Sequence, residues 1–242
     1  MGDLSAVAAD LAPVGALRAA VNLGNPVLAH GTPAEPGGVT VDIAREVAAR
    51  LGVPVEFACF DAARKAFEAL TSGAADLGFL AIEPARAAEV AFTAPYVLIE
   101  GVYVVPDGSP FESPGDVDRP GVRIGVKQGS AYDLYLTRTL RHATVVRGED
   151  GVVAFEEQGL DVAAGIRQPL TAYATAHPGT RVIGERFMQI RQAAGTTPDR
   201  RPETIGFLHD LIEELKATGF VAESLRRANQ PDATVAPPAA AG

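Results

Sequence analysis

The feature that most constrains the fold is a repeated alternation between apolar strand-like runs and amphipathic helix-like segments. In the first half of the chain, strand patterns at 16–21, 54–60 and 75–82 are separated by helix patterns at 40–52 and 62–73. The run ADLGFLAI carries almost no polar side chain, as expected for a strand that is covered on both faces. Strands that alternate with helices in this way predict a parallel sheet with helices packed against it.

The alternation then occurs a second time, after a change of pattern. The second set of segments, in chain order, is a strand VRIGV at 122–126, a helix at 130–140, a strand at 143–148, a helix at 151–159, a strand at 160–166 and a helix at 168–179. Extended segments near 101–108 and 187–196 connect the two sets, and helix patterns at 202–220 and 221–229 close the chain. We therefore predict an α/β protein with two Rossmann-like lobes joined by two crossover strands.

The chain length agrees with two lobes, because 242 residues accommodate two domains of ordinary size. We place lobe 1 at residues 1–104 together with 194–242, and lobe 2 at residues 105–193. The last stretch, about 231–242, is rich in Pro and Ala and lacks apolar periodicity. The sequence therefore predicts a disordered tail there.

Composition excludes several classes of function. The net charge of −9 and the absence of a basic cluster argue against a nucleic-acid partner. Apolar stretches stop short of the roughly 20 residues that a membrane span requires. Cys59 is the single cysteine and the four histidines are far apart in sequence, so we predict no metal site and no cofactor.

A secretory signal requires a basic segment followed by a sustained apolar core. The N-terminal segment has neither, since no Lys or Arg precedes Arg18 and no long apolar run follows. We expect either a cytoplasmic chain as written, or a periplasmic or extracellular protein from which a signal was removed.

The segment AIEPARAAEVAFTAPY, residues 81–96, raises the question of what Arg86 does. It follows a buried strand and lies next to Pro84, which is suited to the first turn of a helix. Ligands of open α/β sheets bind beyond the carboxyl ends of the strands, where Arg86 is expected. The alternative is a surface arginine paired with Glu83 or Glu89.

Three segments together resemble one family. They are GGVTVDIAREVAARLG, the stretch EALTSGAADLGFLAIEPARAAEVAFTAPY, and VRIGVKQGSAYDLYL. Their order and spacing are similar to those of the type II periplasmic solute-binding proteins of ABC importers, over about residues 15 to 230. The resemblance implies a Venus-flytrap fold that captures a small carboxylate-bearing ligand, an amino acid or related organic acid, in the interlobe cleft. It also implies an ABC transporter permease as partner and a monomeric chain.

The resemblance gives Arg86 a role as the group that grips the ligand carboxylate, because a planar guanidinium matches a carboxylate with two hydrogen bonds. We expect it at a solvent-facing strand end. The full set of predicted ligand-binding residues, all near strand ends, is Asn22, Asn25, Phe60, Ala81, Glu83, Arg86, Gly129, Ser130, Ala131, Arg167 and Gln168. For several of these residues an ordinary structural role remains an alternative to ligand binding. Residues 22–26 could form a simple Asn-rich turn, Ser130 could only cap a helix, Phe60 could pack in the core, and Lys65 could be a solvated charge.

The chain departs from amino-acid binders at residues 166–168. Where those proteins have an aspartate for the α-ammonium of the ligand, this chain reads Ile166, Arg167 and Gln168. A guanidinium repels an ammonium, so two arginines suggest an anionic ligand, for example a dicarboxylate or an acid without the amine. The small ligand is therefore expected to be anionic or zwitterionic.

A second hypothesis is an enzyme on the same fold, similar to cyclohexadienyl or chorismate dehydratases, and a ligand-sensing role is a third. An enzyme requires a general acid in the site, and Glu83 and Glu100 are the carboxylates that the sequence places nearest to it. No nucleophile elbow or nucleotide-binding fingerprint is present, so we assign no catalytic residue.

Overall fold

The computed structural model describes residues 4–240. Within them the chain divides into two compact units: unit 1 contains the residues up to Leu98 and from Arg191 onward, and unit 2 is Ile99–Ile190. The chain changes units a few residues before the predicted boundaries at 104 and 193. The difference arises because a single strand, Ala91–Pro106, runs through the first boundary. The sequence pattern assigned its start near 101, since Pro95 and Gly101 interrupt the apolar run.

The strands of the described chain are, in order, β1 (Leu17–Asn22), β2 (His30–Gly31), β3 (Pro36–Gly37), β4 (Val55–Phe60), β5 (Leu77–Ala81), β6 (Ala91–Pro106), β7 (Arg123–Lys127), β8 (Thr144–Gly148), β9 (Val162–Ile166), β10 (Thr180–Val182), β11 (Met188–Thr196) and β12 (Thr234–Val235). The mixed α/β class predicted from the alternating pattern is confirmed.

The helices are α1 (Ser5–Leu11), α2 (Val39–Leu51), α3 (Ala63–Thr71), α4 (Pro84–Ala87), α5 (Ala131–Thr139), α6 (Gly151–Glu157), α7 (Arg167–Ala176), α8 (Pro202–Ala217) and α9 (Phe220–Arg227), with a 3₁₀ turn at Pro114–Asp116. Helix α1 was not predicted from the sequence. None of the helices between residues 4 and 240 combines the length and the apolar character needed to cross a bilayer.

Helix α2 shows how the sequence pattern produces an element. Its buried face includes Val41, Ala44, Val47 and Leu51, which recur at the spacing of one side of a helix. The helix ends at Gly52, which adopts φ +68°, a left-handed conformation that glycine reaches without a steric penalty.

Unit 1 contains a sheet in the order β4-β1-β5-β11. Strands β4, β1 and β5 are parallel, whereas β11 runs antiparallel to β5. Apolar clusters cover both faces: one is built around Leu70 and Leu80, the other around Val21 and Val41. Because the three parallel strands share a direction, their carboxyl ends meet at one edge of this sheet.

Unit 2 repeats the arrangement with its own core. Strands β8, β7 and β9 are parallel, and β6 pairs antiparallel with β9 in a register that places Gly101 opposite Ile166. Strand β10 pairs antiparallel with the other side of β6. Two apolar clusters, one containing Tyr103 and Ile124 and the other Val102 and Phe155, lie on the two faces.

The amino ends of the unit 1 strands are joined by a charge network around Asp76, whose side chain is fully buried. Arg18 donates to both oxygens of this carboxylate at 2.8 Å, and Arg200 donates to one of them at 2.9 Å. Arg200 also donates to the backbone carbonyl of Asp10, which connects α1 to the segment preceding α8. The network therefore ties the start of the chain to its last third.

The prediction of a disordered tail at 231–242 is wrong for the described part of it. Strand β12 pairs antiparallel with β6, with Thr234 opposite Leu98. Lys216, whose side chain is 4% exposed, donates to the carbonyls of Pro95 and Pro237, and so holds the tail against unit 1. The absence of apolar periodicity was misleading because backbone pairing, a lysine anchor and the burial of the single side chain of Ala236 order this segment. Residues 241 and 242 lie outside the described residues.

Candidate functional site

The carboxyl edge of the unit 1 sheet carries most of the predicted site residues. Asn22 closes β1, Phe60 closes β4 and Ala81 closes β5. Strand β1 lies between the other two, so the three ends are neighbours. The parallel topology thus brings together residues that are 21 to 59 positions apart in the sequence.

Arg86 lies on α4, directly after β5, and is 3% exposed. The expectation of a solvent-facing side chain is therefore wrong. One Nη of Arg86 lies 3.3 Å from the carbonyl oxygen of Ala81, and Glu83, at the start of the same short helix, is also 3% exposed. Burial lowers the pKa of Arg86 to about 10, and the negative charge of Glu83 offsets this effect only in part.

The loop after β1 contains two predicted ligand-binding asparagines in different states. The Asn22 side chain accepts a hydrogen bond from the Gly24 N–H at 2.9 Å, which closes a turn. Asn25 is 5% exposed, and its buried Oδ1 has no hydrogen-bond partner among residues 4–240. A buried amide oxygen without a partner is costly, so this group is suited to a ligand or a water.

Phe60 lines a pocket of about 330 Å³ at the ends of β1 and β4. The other residues of the pocket wall are Leu23, Pro33, Cys59, Asp61 and Lys65. Most of the wall is apolar, and Lys65 pairs with Asp61 at 2.8 Å. Burial raises the pKa of the Cys59 thiol, which disfavours the reactive thiolate. The pocket is thus a place for an apolar group, with an ion pair in its wall.

In unit 2, the loop between β7 and α5 holds Gly129, Ser130 and Ala131. Ser130 is the N-cap of α5 and accepts from the Asp133 N–H at 3.1 Å. The Gly129 N–H, predicted to face a ligand carboxylate, donates to the buried carboxylate of Asp133 at 2.8 Å. Asp133 also pairs with Arg147. An internal carboxylate therefore occupies this donor.

Arg167 and Gln168 open α7 at the carboxyl end of β9. The Arg167 Nε donates to Glu100, and one of its Nη atoms donates to the Gly184 carbonyl at 2.8 Å. Arg186 donates to the other oxygen of Glu100 at 3.0 Å. Gln168 has a buried Oε1 that has no hydrogen-bond partner in the described part of the chain.

The Glu100 carboxylate responds to opposing influences. Burial raises its pKa, but the hydrogen bonds from Arg167 and Arg186 lower it more, so the net shift is downward. Glu100 is therefore held in its charged form, which is unsuited to the general acid that the enzyme hypothesis needs.

Sequence reasoning missed Asp133 and Arg186 as partners of predicted site residues. The signal for Asp133 was present, because a carboxylate three residues after a serine N-cap lies in the first turn of the helix, where it meets the free N–H groups. No comparable signal existed for Arg186, which precedes β11 and meets Glu100 only through the fold. Among residues 4–240, no group of three or more His, Cys, Asp or Glu is arranged to hold a metal ion.

Comparison with known sequences decides the family. Residues 17–229 match the family described as bacterial extracellular solute-binding proteins, family 3. The chain belongs to this family. The resemblance predicted from the three sequence segments is therefore confirmed for this solute-binding protein. Among curated proteins, no sequence matches it significantly.

Solved structures with the same fold are distant in sequence. A cysteine-binding protein from Campylobacter jejuni is 20% identical, with a TM-score of 0.76 and coverage of 93% of each chain. An amino acid ABC transporter substrate-binding protein from Streptococcus pneumoniae, bound to L-arginine, is 18% identical, with a TM-score of 0.75, and covers 96% of this chain and 100% of its own. An ancestral amino-acid-binding protein, described as a precursor of cyclohexadienyl dehydratase, is 20% identical, with a TM-score of 0.73 and coverage of 90% and 96%.

Proposed function

We propose that this solute-binding protein captures a small ligand with a carboxylate group, an amino acid or a related organic acid, for uptake by an ABC transporter. The buried guanidinium of Arg86 at the carboxyl edge of the unit 1 sheet carries the proposal. The similar solved structures support this class of ligand, since one is described as a cysteine-binding protein and another is bound to L-arginine.

The physical argument starts from the cost of burying a charge. A buried guanidinium is disfavoured unless an opposite charge and hydrogen bonds compensate it. At Arg86 the negative charge of Glu83 gives partial compensation for burial, and the pKa of the arginine remains lowered. A ligand carboxylate beside Arg86 would complete it, and the planar fork of arginine suits a carboxylate better than a lysine does.

Neighbouring groups extend the proposed site within unit 1. The buried amide of Asn25 offers a hydrogen-bonding partner for a polar ligand group, and the pocket lined by Phe60 offers an apolar wall. Ala81 and Glu83 contribute by position, because Ala81 ends β5 and Glu83 lies beside Arg86. We infer a ligand with a carboxylate and a small, partly apolar remainder.

The test begins with the ligand that co-purifies with the protein, identified by mass spectrometry after denaturation. Calorimetry with that compound then compares the wild type with Arg86→Lys, which keeps the charge beside Glu83 but loses the fork. We expect a loss of affinity of about 10- to 100-fold, the range for a hydrogen bond to a charged group. The matched control is Arg45→Lys, an exposed arginine of the same unit that pairs with Asp42.

Circular dichroism and thermal unfolding establish that both variants fold. If Arg86→Lys binds the compound as tightly as the wild type does, Arg86 is not the carboxylate-binding group and the proposal fails. A co-purified compound without any acidic group has the same consequence.

A transporter permease and a monomeric state are part of the same proposal. We expect light scattering after size exclusion to give a mass near 25.1 kDa. A stable dimer would contradict the monomer.

A dehydratase is the second candidate, favoured by the described precursor relationship of one solved relative and by the buried carboxylate of Glu83. Incubation of the protein with those small carboxylic acids that stabilise it in a thermal-shift screen, followed by mass spectrometry, separates turnover from binding. Product formation that is lost in Glu83→Gln would support the enzyme.

A further inference from the structure

Unit 2 contains a three-residue charge cluster formed by Arg167, Glu100 and Arg186. Glu100 lies on β6 opposite the start of α7, because Gly101 pairs with Ile166 in the antiparallel register. Each oxygen of Glu100 accepts from a different guanidinium: one from the Nε of Arg167, and the other from an Nη of Arg186 at 3.0 Å. The carboxylate thus bridges two cations that are 19 residues apart in the sequence, 167 and 186.

The charges of the cluster do not cancel. Two guanidiniums face one carboxylate, which leaves one positive charge in a chain whose net charge is −9. The neighbouring Glu185 is exposed and, in the described part of the chain, forms no ion pair with either arginine. The cluster is therefore a local positive site on an acidic protein, which attracts anions.

The two arginines also keep donors that the fold does not use. Arg167 employs its Nε and one Nη, and Arg186 employs one Nη. Within residues 4–240, the other Nη of Arg167 and the Nε and second Nη of Arg186 have no hydrogen-bond partner. The side chains are 29% and 49% exposed, so the cluster lies at the surface of unit 2.

Gln168 adds a neutral polar group next to the cluster. It follows Arg167 in the first turn of α7, and its Oε1 is buried without a partner in the described chain. An amide oxygen only accepts hydrogen bonds, so this atom suits a hydroxyl or N–H group of a ligand, whereas the carboxylate is left to the two guanidiniums.

We propose that Arg167 and Arg186, bridged by Glu100, form an anion-binding site of unit 2 that takes the carboxylate of a small organic acid. The unused Nε and Nη of Arg186 belong to one planar fork, which suits the two oxygens of a carboxylate, and Arg167 adds a second positive charge. Glu100 holds the two side chains in place and, at the same time, repels the incoming anion, so it limits affinity. This site stands on unit 2 alone and does not depend on the assignment of Arg86.

The experiment follows the arginine Nε–H signals in ¹H–¹⁵N NMR spectra of the full chain while succinate is added. Signals are assigned with single Arg→Lys variants, and neutral succinamide serves as the control titrant. We expect the Arg167 and Arg186 signals to shift with succinate and to remain fixed with succinamide.

Three variants sharpen the result. Arg186→Gln is expected to weaken succinate binding about tenfold, because a charged donor is lost. Arg119→Gln is the matched control, since Arg119 is an exposed arginine of the same unit that pairs with Asp116, and its effect should stay within about twofold. Glu100→Gln should strengthen binding about threefold because the repelling charge is removed.

Unchanged affinity in Arg186→Gln, or fixed Arg167 and Arg186 signals in the wild type, would reduce the cluster to an internal ion-pair network and overturn the proposal. Succinate binding that Arg86→Lys abolishes while Arg186→Gln leaves it intact would also overturn it, yet would support the function proposed for unit 1. The failures of the two proposals are therefore distinguishable.

Discussion

The two ends of the unit 1 sheet place an arginine in contrasting surroundings: Arg18 is partly exposed and Arg86 is buried. At the amino end, the hydrogen bonds from Arg18 to the buried Asp76 raise the pKa of that arginine, although burial opposes the shift. At the carboxyl end, burial lowers the pKa of Arg86 to about 10, with only partial compensation from Glu83. The same residue type is thus stabilised as a cation at one end and destabilised at the other.

The difference separates a structural role from a binding role. The network around Asp76 is satisfied by the chain itself and ties α1 and the segment before α8 to the sheet. The surroundings of Arg86 would gain from an additional negative charge. We therefore expect substitutions at the amino end to change stability, and substitutions at the carboxyl end to change ligand affinity.

The largest effect is expected for Asp76→Asn. This change keeps the shape but leaves Arg18 and Arg200 without a buried countercharge, and breaking such a pair costs about 3–5 kcal/mol. Urea unfolding should therefore show that the free energy of unfolding falls by about 3 kcal/mol. We expect the lower end of the range because the Arg18 side chain is 27% exposed. Ligand affinity, measured by calorimetry, should stay within about twofold.

The control for that prediction is Glu223→Gln, since Glu223 is an exposed acid of the same unit that pairs with Arg226. Its cost should be below about 1 kcal/mol. A large loss of ligand affinity in Asp76→Asn would show that the two ends of the sheet are coupled, and the comparison would not hold.

The next effect is expected for Gly24→Ala, in the loop that carries Asn22 and Asn25. A methyl group at this position would lie 2.1 Å from the backbone carbonyl oxygen of Asp61, so the loop must move. We expect ligand affinity to fall about tenfold, with a loss of stability of about 1–3 kcal/mol from overpacking. Calorimetry and urea unfolding of the same preparation measure the two quantities.

A smaller effect is expected for Gly15→Ala, at the amino end of the same sheet. Gly15 has φ +85° and no neighbouring atom within 4 Å of an added methyl group, so strain of the backbone is the cost. Urea unfolding should show a loss of about 1 kcal/mol, with unchanged ligand affinity. If affinity falls as much as in Gly24→Ala, the two ends do not differ in the expected way.

The smallest effect concerns alkaline pH. Arg86 has a lower pKa in the folded protein than its ordinary value of 12.5, so above about pH 10 the unfolded state binds more protons than the folded state. The cost of burying Arg86 is complete below pH 10 and decreases as the pH rises through it. The stability of the wild type relative to Arg86→Gln should therefore increase between pH 9 and 11, as measured by urea unfolding.

Arg18 provides the opposite sign for comparison. Its raised pKa means that its contribution to stability is complete below its ordinary pKa and is lost only as the pH rises beyond it. The difference between the wild type and Arg18→Gln should therefore be constant between pH 9 and 11. Parallel curves for the two variants would contradict the assignment of Arg86.

The sequence predicted the sheet architecture because periodicity is a local property. The runs at 54–60 and 75–82 correspond closely to β4 and β5, and the proline at the start of α4 correctly predicted a helix there. The same reasoning placed Arg86 beyond a strand end. It could not determine the burial of Arg86, because burial depends on what the rest of the chain packs against that strand end.

Ion pairs between residues that are distant in the sequence could not be predicted either. Glu100 and Arg167 are separated by 67 positions, and Asp76 and Arg200 by 124, so no local pattern connects them. The tail is ordered, against expectation, because it too is held by contacts with residues distant in the sequence. Lys216 looks like one more solvated charge of α8, and only the fold reveals that it meets the carbonyls of Pro95 and Pro237.

The discontinuity of unit 1 has a consequence for synthesis on the ribosome. Unit 2 is one uninterrupted segment, Ile99–Ile190, and is therefore complete before the chain is finished. Unit 1 must wait for β11, for Arg200 to reach Asp76, and for the pairing of β12 with β6. The portion translated first is thus the portion that finishes folding last, and during elongation the edge of β5 that later pairs with β11 is open to pairing with other chains.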